Sequence, residues 1–185
     1  MRTIKFSPVM RALAVCIGTV ASASASQAAG DKAAYDSAKA SAKSTYEAAK
    51  AKCDALTGNA KDICVAEAKA ARTRTDEQAE ATNKNTPKAR ERAVHEIAEA
   101  DYKVAKERCD DKTGNDKDVC VKVAKAALVK AQSSAKATRV STDAKMDASK
   151  EKREADYTVA AEKCDAMTGD AKSACVKDAK AKYGM

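Results

Sequence analysis

The sequence has very few of the side chains that usually build an apolar core. Its 185 residues include no Trp and one Phe, and aromatic residues make up only 3% of the chain. The 44% hydrophobic fraction consists mainly of alanine, which buries far less apolar area than a Leu or Phe worth ~1.5–3 kcal/mol. We therefore exclude an ordinary globular core and expect stability to come from helix propensity and cross-links.

Histidine is also scarce, which limits the chemistry available. The only His is His95, between Val94 and Glu96 on a predicted helix. Metal sites and catalytic triads need several convergent groups, so we interpret His95 as structural. The sequence predicts a non-enzymatic protein with no catalytic residues, no cofactor and no metal site.

The N-terminus has the three-part pattern of a cleaved secretory signal. Three basic residues precede the apolar run 12–20, and the small-residue tract 21–28 follows. The run is far shorter than the ~20 residues of a membrane span. We expect cleavage after residue 25, or as late as 28, and a periplasmic or secreted protein with no transmembrane segment.

Cleavage would change the charge and the cysteine count. Removing residues 1–25 takes away three of the 35 basic residues and none of the 27 acidic ones, which leaves a net charge of about +5. It also removes Cys16 and leaves six cysteines. An even number of cysteines in an exported chain indicates disulfides.

The strongest signal is an internal repeat of about 55 residues. The three copies begin at Tyr46, Tyr102 and Tyr157 and read YEAAKAKCDALTGNAKDICVAEAKA, YKVAKERCDDKTGNDKDVCVKVAKA and YTVAAEKCDAMTGDAKSACVKDAKA. The spacing from Tyr to Cys and from Cys to Cys is the same in every copy. The chain therefore repeats one structural unit three times.

Each unit is predicted to be a helix, a tight turn and a second helix. A glycine stands where the first helix should end in a left-handed residue, at Gly58, Gly114 and Gly169. The next residue is a preferred N-cap for the second helix, at Asn59, Asn115 and Asp170. The T-G-N/D sequence thus marks the turn of a helical hairpin.

The six cysteines flank these turns in C-x10-C pairs. The pairs are Cys53 with Cys64, Cys109 with Cys120, and Cys164 with Cys175. Antiparallel helices joined by so short a turn bring the two cysteines within reach of a disulfide, so we predict one bridge per hairpin. Exchangeable redox disulfides and metal ligation remain alternatives, although the spacing matches neither C-x-x-C nor the usual metal-binding pairs.

The predicted fold is all-α, with three disulfide-clamped hairpins in an elongated bundle or coiled-coil-like array. Six helices are expected, at about 31–57, 60–82, 87–112, 116–139, 143–167 and 171–183. The apolar seams are thin: in the first helix Tyr35, Ala42, Ala49 and Leu56 recur every seven residues. Such seams pair helices but do not enclose a ligand cavity.

Two boundaries separate the repeats. Thr86 before Pro87 predicts that a helix begins there. The corresponding break at 140–143 has no proline, so one longer helix through it is an alternative. We divide the chain into a signal peptide and three hairpin repeats, at 26–83, 84–140 and 141–185.

The repeat core, clearest in CDALTGNAKDICVAEAKA, resembles a group of small, exported, Ala/Lys-rich bacterial proteins, some of them labelled TolA-like cell-envelope proteins. The resemblance covers nearly all of the chain after the signal and implies a helical protein of the cell envelope. With TolA proteins themselves the chain shares only its Ala/Lys/Glu-rich helical character.

Three hypotheses about function follow. The first is a non-enzymatic periplasmic or cell-envelope protein with a structural, spacer or stress-protective role. The second is an exported binding module for an anionic envelope partner, such as lipopolysaccharide, peptidoglycan or an acidic protein. The third is an exported redox protein. Nucleic acid is not an expected partner, because acidic residues are interleaved with the lysines.

Overall fold

The computed structural model describes residues 32–185, which form five α-helices and no β-strand. The helices are α1 (Lys32–Cys53), α2 (Gly58–Lys84), α3 (Pro87–Cys109), α4 (Gly114–Asp165) and α5 (Gly169–Tyr183). The predicted all-α fold with disulfide-clamped hairpins is confirmed. The predicted signal peptide, with Cys16, lies outside the described residues.

The helices form an antiparallel series in which each packs only against its neighbours in the chain. Within residues 32–185, α1 packs on α2, α2 on α3, α3 on α4, and α4 on α5. The α1–α2 and α3–α4 turns therefore lie at the same end of the series. The α4–α5 turn lies at the far end of α4, whose 52 residues extend about 78 Å.

The α2–α3 turn confirms the helix start predicted at Pro87. α2 ends at Lys84, and its C-cap Asn85 adopts a left-handed conformation with φ of 45°. Thr86 is the N-cap of α3, and its hydroxyl accepts a hydrogen bond of 3.1 Å from the backbone N–H of Ala89. Pro87 occupies the first turn, where its missing N–H costs no hydrogen bond.

The prediction of six helices is wrong at 140–143, where α4 continues without a break. Thr142 donates a hydrogen bond of 2.8 Å to the carbonyl of Thr138 one turn earlier. Asp143 pairs with Arg139, 2.7 Å away, instead of capping a new helix. Arg139 also pairs with Glu91 of α3. With no Pro or Gly between the ends of α4, these contacts keep the segment helical.

The core is small and consists mostly of alanine. Cys53, Cys109 and Cys164 are the largest side chains that are fully buried. Only one valine and one leucine, Val104 and Leu128, join them in the core of the described residues. Leu56, which we predict in the α1 seam, lies in the turn after α1 and is 40% exposed. The disulfides are therefore the main packing elements at the hairpin ends.

Candidate functional site

The feature that the structure repeats is the clamped turn, which we define as the residues from the first cysteine of a C-x10-C pair to the second. The three disulfides join Cys53 to Cys64, Cys109 to Cys120, and Cys164 to Cys175, with Cα separations of 5.6, 5.7 and 5.7 Å. In each turn the backbone N–H of the third residue after the first cysteine donates to that cysteine's carbonyl at 3.0 Å. The three turns thus share one backbone conformation.

The glycines of the turns are left-handed, as expected, but they belong to the second helix. Gly58, Gly114 and Gly169 have φ values of 57°, 53° and 60° and form the first residue of α2, α4 and α5. The first helices end earlier: α1 and α3 end at their cysteines, and α4 ends at Asp165, one residue after its cysteine. A positive φ at this position favours glycine, since other residues meet a steric cost.

The predicted N-caps are corrected accordingly. Thr57, Thr113 and Thr168 are the N-cap residues, in extended conformation and without a side-chain capping bond. Asn59, Asn115 and Asp170 lie one residue inside the helix, because the glycine has already completed the reversal of the chain. Their side chains therefore do not have the capping role that the sequence suggested.

Each clamped turn also contains an ion pair that the sequence analysis missed. The aspartate after the first cysteine pairs with a lysine seven residues later, across the turn. The pairs are Asp54–Lys61 at 3.1 Å, Asp110–Lys117 at 2.9 Å and Asp165–Lys172 at 2.9 Å. The signal was available, because C-D-x-x-T-G-x-x-K is identical in all three copies. These exposed pairs add little stability on their own, but they help to fix the turn geometry.

The first two clamped turns are joined to each other. The side-chain amide of Asn59 donates to the carbonyl of Glu107 at 3.0 Å and to Asp111 at 2.6 Å. These bonds connect the start of α2 to the end of α3. Two clamps therefore form one continuous surface at one end of the protein, while the third clamp lies at the other end.

A groove runs over α2 between α1 and α3. It has a volume of about 690 Å³, and its apolar floor includes Val65, Ala66 and Ala70. Its charged lining consists of Lys61, Lys69, Arg72 and Lys103 with Asp62, Asp76 and Glu107. Arg72 is stacked 5.4 Å from the centre of the Tyr46 ring. The groove can accept a small anionic or amphipathic group, but it brings no nucleophile together with a base.

His95 lies in α3, half-buried, beside a second depression of about 430 Å³. Charged groups around it include Glu91, Arg92 and Glu96, but the buried Nε2 atom of His95 has no hydrogen-bond partner. No group of three or more potential metal ligands exists within residues 32–185.

Glu80 joins three helices near the α2–α3 turn. Its carboxylate accepts a hydrogen bond from Tyr35 of α1 at 2.8 Å and pairs with Lys84 at 2.8 Å and with Arg92 of α3 at 3.3 Å. The hydrogen bonds from Lys84 and Tyr35 lower the pKa of Glu80 to about 2. The same contact with Glu80 raises the pKa of Tyr35. Charged contacts therefore supplement the thin core here.

The Glu80 contacts predict a loss of stability in acid. The pKa of Glu80 is lower in the folded chain than the usual ~4.3, so its contribution is present above about pH 4.3 and is lost as the pH falls towards 2. We expect Glu80→Gln to lower the free energy of unfolding at pH 7 by about 1 kcal/mol. Urea unfolding followed by circular dichroism at pH 7, 4 and 2 measures this.

The matched control for this experiment is Glu96→Gln, an exposed carboxylate on α3. This control should leave the stability nearly unchanged at all three pH values. The difference between Glu80→Gln and the unmodified protein should shrink as the pH falls. A difference that stays constant down to pH 2 would refute the role assigned to the Glu80 charge.

Comparisons with protein-family models, curated proteins and solved structures found no significant match to this chain. Among the described residues, no helix is long and apolar enough to cross a membrane. The three internal disulfides fit a compartment outside the reducing cytoplasm.

Proposed function

We propose that this chain is a non-enzymatic spacer or structural protein of the periplasm or cell envelope. The main support for the proposal is the exposure of the middle of α4. α4 packs on α3 and α5, but its residues 144–156 are exposed at every position. A single helix therefore separates the paired clamps at one end from the third clamp at the other.

The separation can be estimated from the length of the helix. Cys120 and Cys164 both belong to α4, and 44 residues of helix extend about 66 Å. At each end of this helical segment a disulfide links α4 to the neighbouring helix, and the first cysteine of each disulfide is almost completely buried. Buried bridges resist thiol exchange, which supports a structural role for them over a redox role.

We also propose that the chain is exported and belongs with the small Ala/Lys-rich envelope proteins that its repeats resemble. The support is the signal pattern at residues 1–28 together with disulfides of the kind that persist in oxidising compartments. The test is fractionation of the native cells, with N-terminal sequencing and thiol labelling of the purified chain. We expect cleavage after residue 25 or 28 and no free thiol. A chain found only in the cytoplasm, or with reduced cysteines, would refute the proposal.

The second candidate function is binding of an anionic envelope partner, and the groove over α2 favours it. Four cations and three acids line this groove beside Tyr46. Lipopolysaccharide micelles and peptidoglycan fragments are the probes. Binding should weaken as salt rises and should be lost in Lys69→Glu with Lys103→Glu, but not in Lys50→Glu, which is exposed on α1 outside the groove. Absent or salt-insensitive binding would exclude this function.

A further inference from the structure

The outer side of α4 is a continuous exposed face with no partner in the described residues. With 3.6 residues per turn, eight charged or apolar positions between Lys122 and Asp165 fall within a sector of about 60°. This set, which we call the α4 stripe, comprises Lys122, Val129, Lys136, Val140, Asp147, Glu151, Glu154 and Asp165, all exposed. The buried residues of α4, Ala124, Leu128 and Cys164, lie roughly 110° to 150° around the helix from the centre of the stripe, on the side where α3 and α5 pack.

The charge of the α4 stripe changes sign along the helix. From Val119 to Thr142 the chain has five basic residues and no acidic one. The second part of the stripe is acidic, with Asp147, Glu151 and Glu154. Lys122, Lys136, Asp147 and Glu151 enter none of the ion pairs that the described residues of α4 form. Both halves are therefore available to a partner of complementary charge.

We propose that this partner is a second copy of the same chain, packed antiparallel along the α4 stripe. One antiparallel register, with its two-fold axis between Asp143 and Ala144, brings opposite charges together at two pairs of stripe positions and at one pair beside the stripe. It sets Lys136 opposite Glu151, Lys122 opposite Asp165, and Lys125 opposite Glu162. Each pair occurs twice, because the contact is isologous. A parallel arrangement would instead oppose like charges.

The size of the face is sufficient for a specific dimer. The stripe from Lys122 to Asp165 is about 65 Å long, and at roughly 10 Å wide it covers roughly 650 Å² on each copy, or roughly 1,300 Å² in total, which is at the lower end of the standard range for interfaces. Its apolar content is low, since only Val129 and Val140 interrupt the charges within the stripe. Exposed ion pairs contribute ~0–1 kcal/mol each. The dimer is therefore weak, in the micromolar range, and sensitive to salt.

Sedimentation velocity of the disulfide-bonded protein tests the association. The dimer dissociation constant should rise at least about tenfold between about 20 mM and about 500 mM salt. Lys122→Glu with Lys136→Glu makes both pairs of the stripe wholly acidic, and Glu151→Lys with Asp165→Lys makes both pairs wholly basic. Each variant alone should be monomeric, whereas an equimolar mixture of the two should form a heterodimer. Circular dichroism and disulfide mapping establish that both variants are folded.

Zero-length amine-to-carboxyl crosslinking tests the register. Lys136 and Glu151 are 15 residues apart in one helix, about 22 Å, so a direct bond between them can form only between two chains. We expect this crosslink at low salt and its disappearance at high salt. A chain that stays monomeric at about 1 mM and low salt, or one that instead binds phosphatidylglycerol vesicles through its basic half as a monomer, would overturn the proposal. So would a dimer that Lys122→Glu with Lys136→Glu leaves intact.

This inference goes beyond the spacer role and can fail separately from it. A monomeric α4 still separates the clamped ends, so a failed dimer would leave the spacer proposal in place. A cytoplasmic location would refute the proposed compartment but would leave the dimer as measured. If both hold, two antiparallel copies present clamped turns at both ends of the assembly.

Discussion

Replacing Cys164 and Cys175 with alanine is expected to release α5 from α4 while α1, α2 and α3 stay folded. α5 has 15 residues, packs on α4 alone and buries only Ala179. An isolated helix of this length is marginal in water. The lost disulfide is worth ~3 kcal/mol in the chain-entropy model, which is more than the remaining contacts can replace. Hydrogen exchange measured by mass spectrometry should show residues 169–183 losing their protection almost completely.

The matched control is the same double replacement at Cys53 and Cys64. α2 packs on α3 as well as on α1, so α2 should keep its protection although the free energy of unfolding falls by about 3 kcal/mol. If α5 loses its protection but α2 keeps it, the folding of α5 depends on its own disulfide and not only on the overall stability of the protein. Undiminished protection of residues 169–183 without their disulfide would contradict the account of the third hairpin.

The hairpins and their cross-links could be predicted because they depend on local sequence. The spacing of Cys109 and Cys120 around Gly114 determines the helix–turn–helix unit without any knowledge of the distant chain. The ion pair between Asp110 and Lys117 is just as local.

Other features could not be read from the sequence, because they depend on how helices pack. The contact of Glu80 with Tyr35 and Arg92 requires the registers of both α1 on α2 and α2 on α3. The continuity of α4 depends partly on Glu91 of α3, which holds Arg139. The sequence of 140–143 alone contains residues that could cap a new helix. The contact with the neighbouring helix α3 shows that they do not.

Ala148→Pro, in the exposed middle of α4, is expected to break the helix there, so that the two ends of the protein are no longer held at a fixed distance and orientation. Proline removes the hydrogen bond to residue 144 and clashes with its carbonyl, which costs ~3 kcal/mol or more in a helix interior. Residues 144–156 are exposed at every position, so little packing is available to restore the straight path. We expect small-angle X-ray scattering to show a shorter mean dimension and a broad distribution of distances.

The control is Ala148→Ser, which keeps the backbone hydrogen bond and costs only ~0.5 kcal/mol of helix propensity. Both variants should retain the three disulfides, because each clamp is determined by its own hairpin. The measurement belongs at about 500 mM salt, where a second copy on the α4 stripe would no longer brace the helix. If Ala148→Pro scatters like the control, α4 is held straight by contacts other than its own backbone, and the spacer role loses its physical basis.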